Sequence, residues 1–281
     1  MQEIIDTHNH LWQYEDNEFF SWIQDGMDVL RQDFTIEQLK QTLQTDGVAG
    51  SILVQAVARL EESKALLALA EDQEMIRGVV GWCDMAQGAE TVKAQIQELR
   101  TCGSKLKGIR YLSQGLPPEH LLTDSFVDGV REVGRAGLVY ELLVTTEQLD
   151  AATELVSRAK ETSFILEHIA KPPIKVQQIH PWAEKIKGLA AVPQVACKVS
   201  GMVTEADWQQ WKNADFEPYL DTVYAAFGEE RLIFGSDWPM LLVATDYAGV
   251  KGILTAWLKK HEEIDSDKIF AGNARRIYCL D

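Results

Sequence analysis

Short apolar, β-branched runs alternate with longer amphipathic stretches from one end of the chain to the other. The strand candidates are IIDTH (4–8), GSILVQA (50–56), IRGVVGWCD (76–84), LKGIRYL (106–112), GLVYELLV (137–144), SFILEH (163–168), QVACKVSG (194–201) and RLIFGSD (231–237). Between them lie SKALLALAEDQ, AETVKAQIQELR, SFVDGVREVGRAG and EQLDAATELVSRAK, each with apolar residues at three- and four-residue intervals. That spacing marks a helix with one buried face. Strands alternating with helices predict βα units and a parallel sheet. Eight such units in 281 residues are the content of a closed (β/α)8 TIM barrel.

The pattern runs through without a Gly/Ser/Pro-rich linker or a low-complexity tract, so it predicts one α/β domain over residues 1–281. Residues 11–47 exceed what one crossover needs and carry Trp12, Tyr14, Phe19, Phe20 and Trp22. They read as an aromatic-rich insertion, either a lid over the barrel mouth or cover for its rim. Residues 247–281 read as a C-terminal helical segment, with Asn273-Ala274-Arg275 capping and anchoring its last helix. A doubly wound open sheet is the rival fold, but no GxGxxG turn follows the first strand.

Composition narrows the function classes. The 43 acidic residues outnumber the 27 basic ones, for a formal charge of −16. Phosphate recognition draws on basic patches, so the charge argues against a nucleic-acid partner and against an anionic membrane surface. No run approaches the roughly 20 apolar residues of a membrane span. The start, MQEIIDTHNH, has neither signal-peptide nor transit-peptide character. Cys83, Cys102, Cys197 and Cys279 are widely spaced without a CxxC pair. They predict free thiols, three of them buried, and a cytoplasmic address. Oligomeric state stays open.

Active-site groups of such a barrel project from the C-terminal ends of its strands. The first strand ends in Asp6-Thr7-His8-Asn9-His10, where alternation places His8 and His10 on one side. Two imidazoles on one face can grip one divalent cation or one polarised oxygen; a capped surface pair is the plainer alternative. His168 closes the sixth strand and Asp237 the eighth. An aspartate emerging from a buried apolar strand must be paired or working, since desolvating a lone carboxylate costs several kcal/mol.

These segments together carry a resemblance. IDTHNHLW (5–12), LVQA (53–56), GVVGWCDM (78–85), LKGIRY (106–111), GLVYELLV (137–144), ILEHIAKPPI (165–174), CKVSGM (197–202), FGSDWPM (234–240) and FAGNARRIY (270–278) resemble the amidohydrolase superfamily. The similarity is to the amidohydrolase-2 branch, which holds sugar-acid lactonases and related lactone hydrolases. It implies a distorted (β/α)8 barrel with His8, His10, His168 and Asp237 at its polar centre, as catalytic residues and metal ligands. A clear metal-bridging lysine and two further histidines of the dinuclear pattern are missing. The resemblance therefore implies at most one metal, zinc or manganese, and some relatives work without any. Glu141 could complete a mononuclear site or serve as a buried partner for Lys198 or an arginine.

The reaction expected from this resemblance is hydrolysis of a small lactone, with Asp237 as general base and then proton carrier. Acyl transfer to water needs a base, an electrophile for the carbonyl oxygen and a proton for the leaving alkoxide. Arg110, Gln55, Trp82, Trp238, Lys198 and Arg59 are the substrate-binding candidates; Arg110 offers a fork for an oxyanion or ring substituent. A neutral aldonolactone such as L-rhamnono- or L-fucono-lactone suits an acidic protein, whose field helps expel the aldonate product. A dicarboxylate lactone ranks lower, because only Arg59, Arg110, Lys171 and Lys198 lie near the centre. A metal-dependent decarboxylase and a non-catalytic ligand-binding barrel are the competing classes.

Overall fold

The computed structural model describes residues 2–281. The eight apolar runs form β1 (Ile5–Asn9), β2 (Gly50–Val54), β3 (Ile76–Gly81), β4 (Leu106–Leu112), β5 (Val139–Leu143), β6 (Ser163–Leu166), β7 (Val195–Val199) and β8 (Leu232–Phe234). They pair in parallel and in chain order. The seam between β8 and β1 closes at its upper end. There His10 N donates to Trp238 O at 2.8 Å and Asp237 N donates to His8 O at 3.0 Å. The expected TIM barrel is present, and its closure passes through candidate site residues.

The crossover helices are α1 (Ile36–Thr45), α2 (Leu60–Glu71), α3 (Ala89–Cys102), α4 (Asp124–Arg135), α5 (Leu149–Arg158), α6 (Trp182–Ala190), α7 (Asn213–Phe227) and α8 (Tyr247–Leu258). In α4, Phe126, Val127, Val130 and Val133 form the buried stripe that the spacing predicts. Thr35 and Gln38 make a reciprocal capping box that starts α1. The insertion is thus an irregular stretch of two short turns leading into α1. Trp12 gathers Phe20, Trp22 and Phe34 at ring separations of 6.1, 5.8 and 5.0 Å. Phe34 meets Trp238 edge-on at 5.4 Å, which ties the cluster to the β8 end of the barrel.

Inside the barrel, alternation builds two layers from the same strands. The lower layer is Ile5, Ile52, Val54, Val80, Val139, Ile165, Ala196 and Ile233. Two residues beyond Val139, Ile165 and Ala196 come Glu141, Glu167 and Lys198, with Arg110 of β4 in register beside Glu141, all buried. A ninth helix, α9 (Asn273–Tyr278), closes the barrel from below. Its Ala274 and Tyr278, with Ala271 before it, pack into the lower apolar layer. Asn273 anchors it by donating to the carbonyls of Glu229 and Leu232 at 2.6 and 2.9 Å.

Three expectations are corrected. β6 ends at Leu166 rather than His168, because the chain enters a left-handed turn there. β8 ends at Phe234, since Gly235 onward is held by loop contacts to β1. All four thiols are free, but only Cys83 and Cys197 are buried; Cys102 is half-buried and Cys279, on the solvent side just past α9, is exposed. No helix among the described residues is long and apolar enough to cross a membrane.

Candidate active site

His8 of β1 and His10 just past it face the barrel centre because the strand is irregular. Its register steps from Asp6↔Ser51 to Asn9↔Leu53, which puts an extra residue on β1. Such a bulge re-aims the side chains beyond it. Asp6 fastens the bulge, accepting from Ser236 N at 2.8 Å, His8 N at 3.1 Å and the Tyr247 hydroxyl at 2.7 Å. His8 Nε2 and His10 Nε2 then lie 3.1 Å apart. His10 Nδ1 is 2.8 Å from Val54 O. A carbonyl only accepts, so the His10 proton is on Nδ1 and Nε2 presents its lone pair to the centre.

β6 delivers two groups. Alternation from Ile165 turns Glu167 inward and would turn His168 outward. Instead His168, Ile169, Ala170 and Lys171 all adopt positive φ, between 47° and 60°. A run of left-handed residues without glycine is costly, on the order of 1 kcal/mol or more each, and is characteristic of functional sites. Trp182 Nε1 braces this turn by donating to Ile169 O at 2.7 Å. His168 is thereby swung inward, its Nδ1 2.9 Å from Ser200 Oγ and its ring 4.5 Å from that of His8. Gly201 makes room: a Cβ there would lie 2.5 Å from His168 Nδ1, and its φ is +61°.

Asp237 completes the group from β8, also at positive φ, 64°. Its Oδ1 is 3.7 Å from His8 Nε2 and 3.6 Å from His10 Nε2. Gly235 allows the approach, since a Cβ there would lie 2.9 Å from His8 Cβ. Below this trio sits a belt of charges. Lys198 Nζ is 2.7 Å from Glu141 Oε2 and 3.1 Å from His8 Nδ1. Arg110 Nη1 is 3.0 Å from Glu167 Oε2 and 3.5 Å from His8 Nε2, while Nη2 donates to Gln55 O. Glu167 Oε1 lies 3.4 Å from His8 Nδ1.

Burial and the surrounding charges together set the protonation of the centre. Burial, then Lys198 and the neighbouring histidines, drive His8 well below the usual histidine range, so it is neutral near pH 7. Burial pushes His168 down to about 4, against the opposing pull of Asp237 and Glu167. Burial pushes Asp237 up, but His168, the His10 hydrogen bond and Lys171 outweigh it and leave a carboxylate below its ordinary range. Burial also raises Glu141, which Lys198 only partly offsets; Glu167, desolvated as well, is held low chiefly by Arg110. The result is two imidazoles, His8 and His168, held uncharged beside one ionised carboxylate.

The structure therefore brings together His8, His10, His168 and Asp237, with Arg110, Lys198 and Glu141 beneath them. Gln55 joins through Arg110, donating from Nε2 to Arg110 O at 3.4 Å. Trp82 stacks on Tyr111 at 6.2 Å. Trp238 is buried under Phe34. Arg59 instead lies over the Phe19 ring, 4.9 Å from its centre, lining a cavity of about 590 Å³ between the insertion and α2. Sequence reasoning missed Glu167, Asp6, Ser200 and Tyr278. Glu167 alone carried a signal, an acidic residue at an inward position of an apolar strand.

The donor set suits one divalent ion. His8, His168 and Asp237 offer ligand atoms within 4.8 Å of one another, and His10 Nε2 joins them. Separations of 3.1–3.7 Å among His8, His10 and Asp237 are close to those between ligands on an ion with bonds of about 2.0–2.2 Å. Glu141 turns its two oxygens to Lys198 and Tyr278 instead.

A parallel barrel with histidines and an aspartate converging at its upper rim is the architecture of a metal-dependent or metal-independent hydrolase. Residues 5–280 match the amidohydrolase family, and the chain belongs to it as an enzyme. It is 34% identical, over 98% of its length and 96% of the relative's, to a protein of Burkholderia multivorans named L-fucono-1,5-lactonase. A protein of Scheffersomyces stipitis named L-rhamnono-gamma-lactonase is 22% identical over 74% of this chain and 70% of its own. The crystal structure of an amidohydrolase from Burkholderia multivorans with bound zinc superposes with a TM-score of 0.92 at 33% identity, covering 99% of both chains.

Proposed function

We propose that the protein opens a sugar-acid lactone by attack of water on the ring carbonyl, with L-fucono-1,5-lactone and L-rhamnono-lactones as its best substrates. One observation carries this reading. His8, His10, His168 and Asp237 converge at one point of the barrel mouth in a chain related over its full length to a protein named as a lactonase. Asp237 takes a proton from the attacking water. The carbonyl carbon gains a C–O bond, and charge moves to the carbonyl oxygen. When that oxygen returns its electrons, the ring C–O bond breaks and Asp237 gives the proton to the departing alkoxide. The product is a hydroxy acid, ionised at neutral pH.

An aspartate below its ordinary range is a weak base, so the water and the developing oxyanion need help from the surrounding groups. A divalent ion held by His8, His10, His168 and Asp237 would, when bound, polarise a carbonyl or acidify a water toward a pKa of about 7. The Nδ1 partners of His10 and His168, Val54 O and Ser200 Oγ, fix the orientation of the two rings. Arg110 brings a guanidinium to the same place. Gln55 Oε1, Trp82 Nε1 and Arg110 Nε are buried without a partner among the described residues, as groups that receive a hydroxylated ligand would be.

Charge bookkeeping supports a neutral substrate. Lys198 is taken by Glu141 at 2.7 Å, Arg110 by Glu167 at 3.0 Å and Lys171 by Glu205 at 3.1 Å. Arg59 rests on Phe19. A dicarboxylate lactone or a carboxylate awaiting decarboxylation would have to compete for these cations. The test is a pH-indicator panel of fucono-, rhamnono-, galactono- and gluconolactones beside a pyrone dicarboxylate and hydroxybenzoates. Acid release is expected from the neutral lactones. CO₂ release from the aromatic acids, or silence on every lactone, overturns the reading. Elemental analysis before and after chelation decides the metal.

A further inference from the structure

The floor of the barrel and its catalytic centre are joined by one continuous chain of buried contacts. Tyr278, on α9, donates its hydroxyl hydrogen bond to Glu141 Oε1, across 137 residues of sequence. Glu141 Oε2 holds Lys198 Nζ at 2.7 Å, and Lys198 Nζ reaches His8 Nδ1 at 3.1 Å. The Lys198 ammonium also lies 5.9 Å from the centre of the Tyr278 ring. Glu141, Lys198 and His8 are fully buried, and Tyr278 nearly so. Beyond His8 come His10 and Asp237.

We propose that Tyr278 is a positioning residue for the catalytic centre: by clamping Glu141 it holds Lys198 against His8 Nδ1 and so fixes the ring whose Nε2 faces Asp237. The physical reason is rotamer freedom. Lysine is long and flexible, and Glu141 with only one partner would leave both side chains free to turn toward Glu167, whose Oε1 is already 3.9 Å from Lys198. His8 Nδ1 sits between a donor, Lys198, and an acceptor, Glu167 Oε1 at 3.4 Å. Residues at the lower face of such barrels ordinarily serve stability; Tyr278 reaches past that layer to the active one.

The inference rests on the proposed centre, and Tyr278→Phe tests it with two separable readouts. The variant keeps the ring in its apolar seat and removes only the hydroxyl. In protein labelled with ¹⁵N-histidine, the Nδ1 and Nε2 resonances of His8 are expected to shift. On the best lactone, kcat is expected to fall at least tenfold with KM within about twofold. Arg275→Ala, which removes the contact of the same helix with Glu3 at 3.1 Å, is expected to lower the unfolding temperature and leave both readouts unchanged. Should Tyr278→Phe not fold, Glu141→Gln replaces it, with the same expected direction. Unchanged His8 resonances and unchanged kcat in a folded variant overturn the inference. If the wild type turns over no lactone, the functional reading fails by itself, and the His8 resonances alone decide the role of Tyr278.

Discussion

The two layers inside the barrel come from the same strands, two residues apart, and obey opposite rules. Val139 and Glu141, Ile165 and Glu167, and Ala196 and Lys198 are such neighbours, all buried. The lower layer gains free energy from leaving water, about 25 cal/mol for each Å² of apolar surface. The upper layer gives that up, and each of its charges is tolerable only while partnered. A barrel interior is thus not one core. Its floor supplies stability that the charged belt above consumes, and the chemistry sits where the consumption is greatest.

Four perturbations would break or sharpen this contrast. The largest effect is expected from Asp237→Asn, which should cut lactone turnover by roughly 10³-fold or more while the unfolding temperature stays near that of wild type; near-normal turnover would remove Asp237 as base. Next, Ile165→Ala in the lower layer should cost about 2–5 kcal/mol in urea unfolding and leave KM little changed. A loss of activity without a loss of stability would show that the layers are not separable.

A third effect is expected from acid. His168 is held at about 4 against its ordinary 6.5, so the unfolded chain takes up a proton that the folded one refuses. Stability should therefore fall as pH drops from about 6.5 toward 4, by roughly 3 kcal/mol in all from this group. His8 is displaced in the same direction. His168→Gln should flatten that slope, measured by urea unfolding at several pH values; an equal slope in both proteins would refute the assignment. The smallest effect belongs to Arg59→Ala, where a contact over Phe19 worth about 0.5–1 kcal/mol is lost. kcat/KM should change less than threefold, and a hundredfold loss would place the insertion cavity within the site.

How far the sequence revealed this arrangement depends on the kind of contact involved. The strands and their order were legible because alternation of apolar runs and amphipathic helices is a local signal. His8, His10 and Asp237 were legible for the same reason, as polar residues at or just past the ends of apolar runs. The bulge in β1 was not, since its extra residue is defined only against β2. The left-handed turn at 168–171 contains no glycine, the usual marker of positive φ. Lys198 and Glu141 were visible as charges inside strands, but Tyr278 could not be joined to them, since nothing local marks a partner 137 residues away.

By itself, then, the chain determined an eight-stranded barrel and the residue types at its rim, because periodicity and burial act over a few neighbouring residues. Only the tertiary structure decided which nitrogen of each histidine faces the centre, which carboxylate keeps its charge and which helix seals the floor. Those are properties of a buried electrostatic field, summed over side chains that the sequence scatters and the closing of the barrel brings within 4 Å.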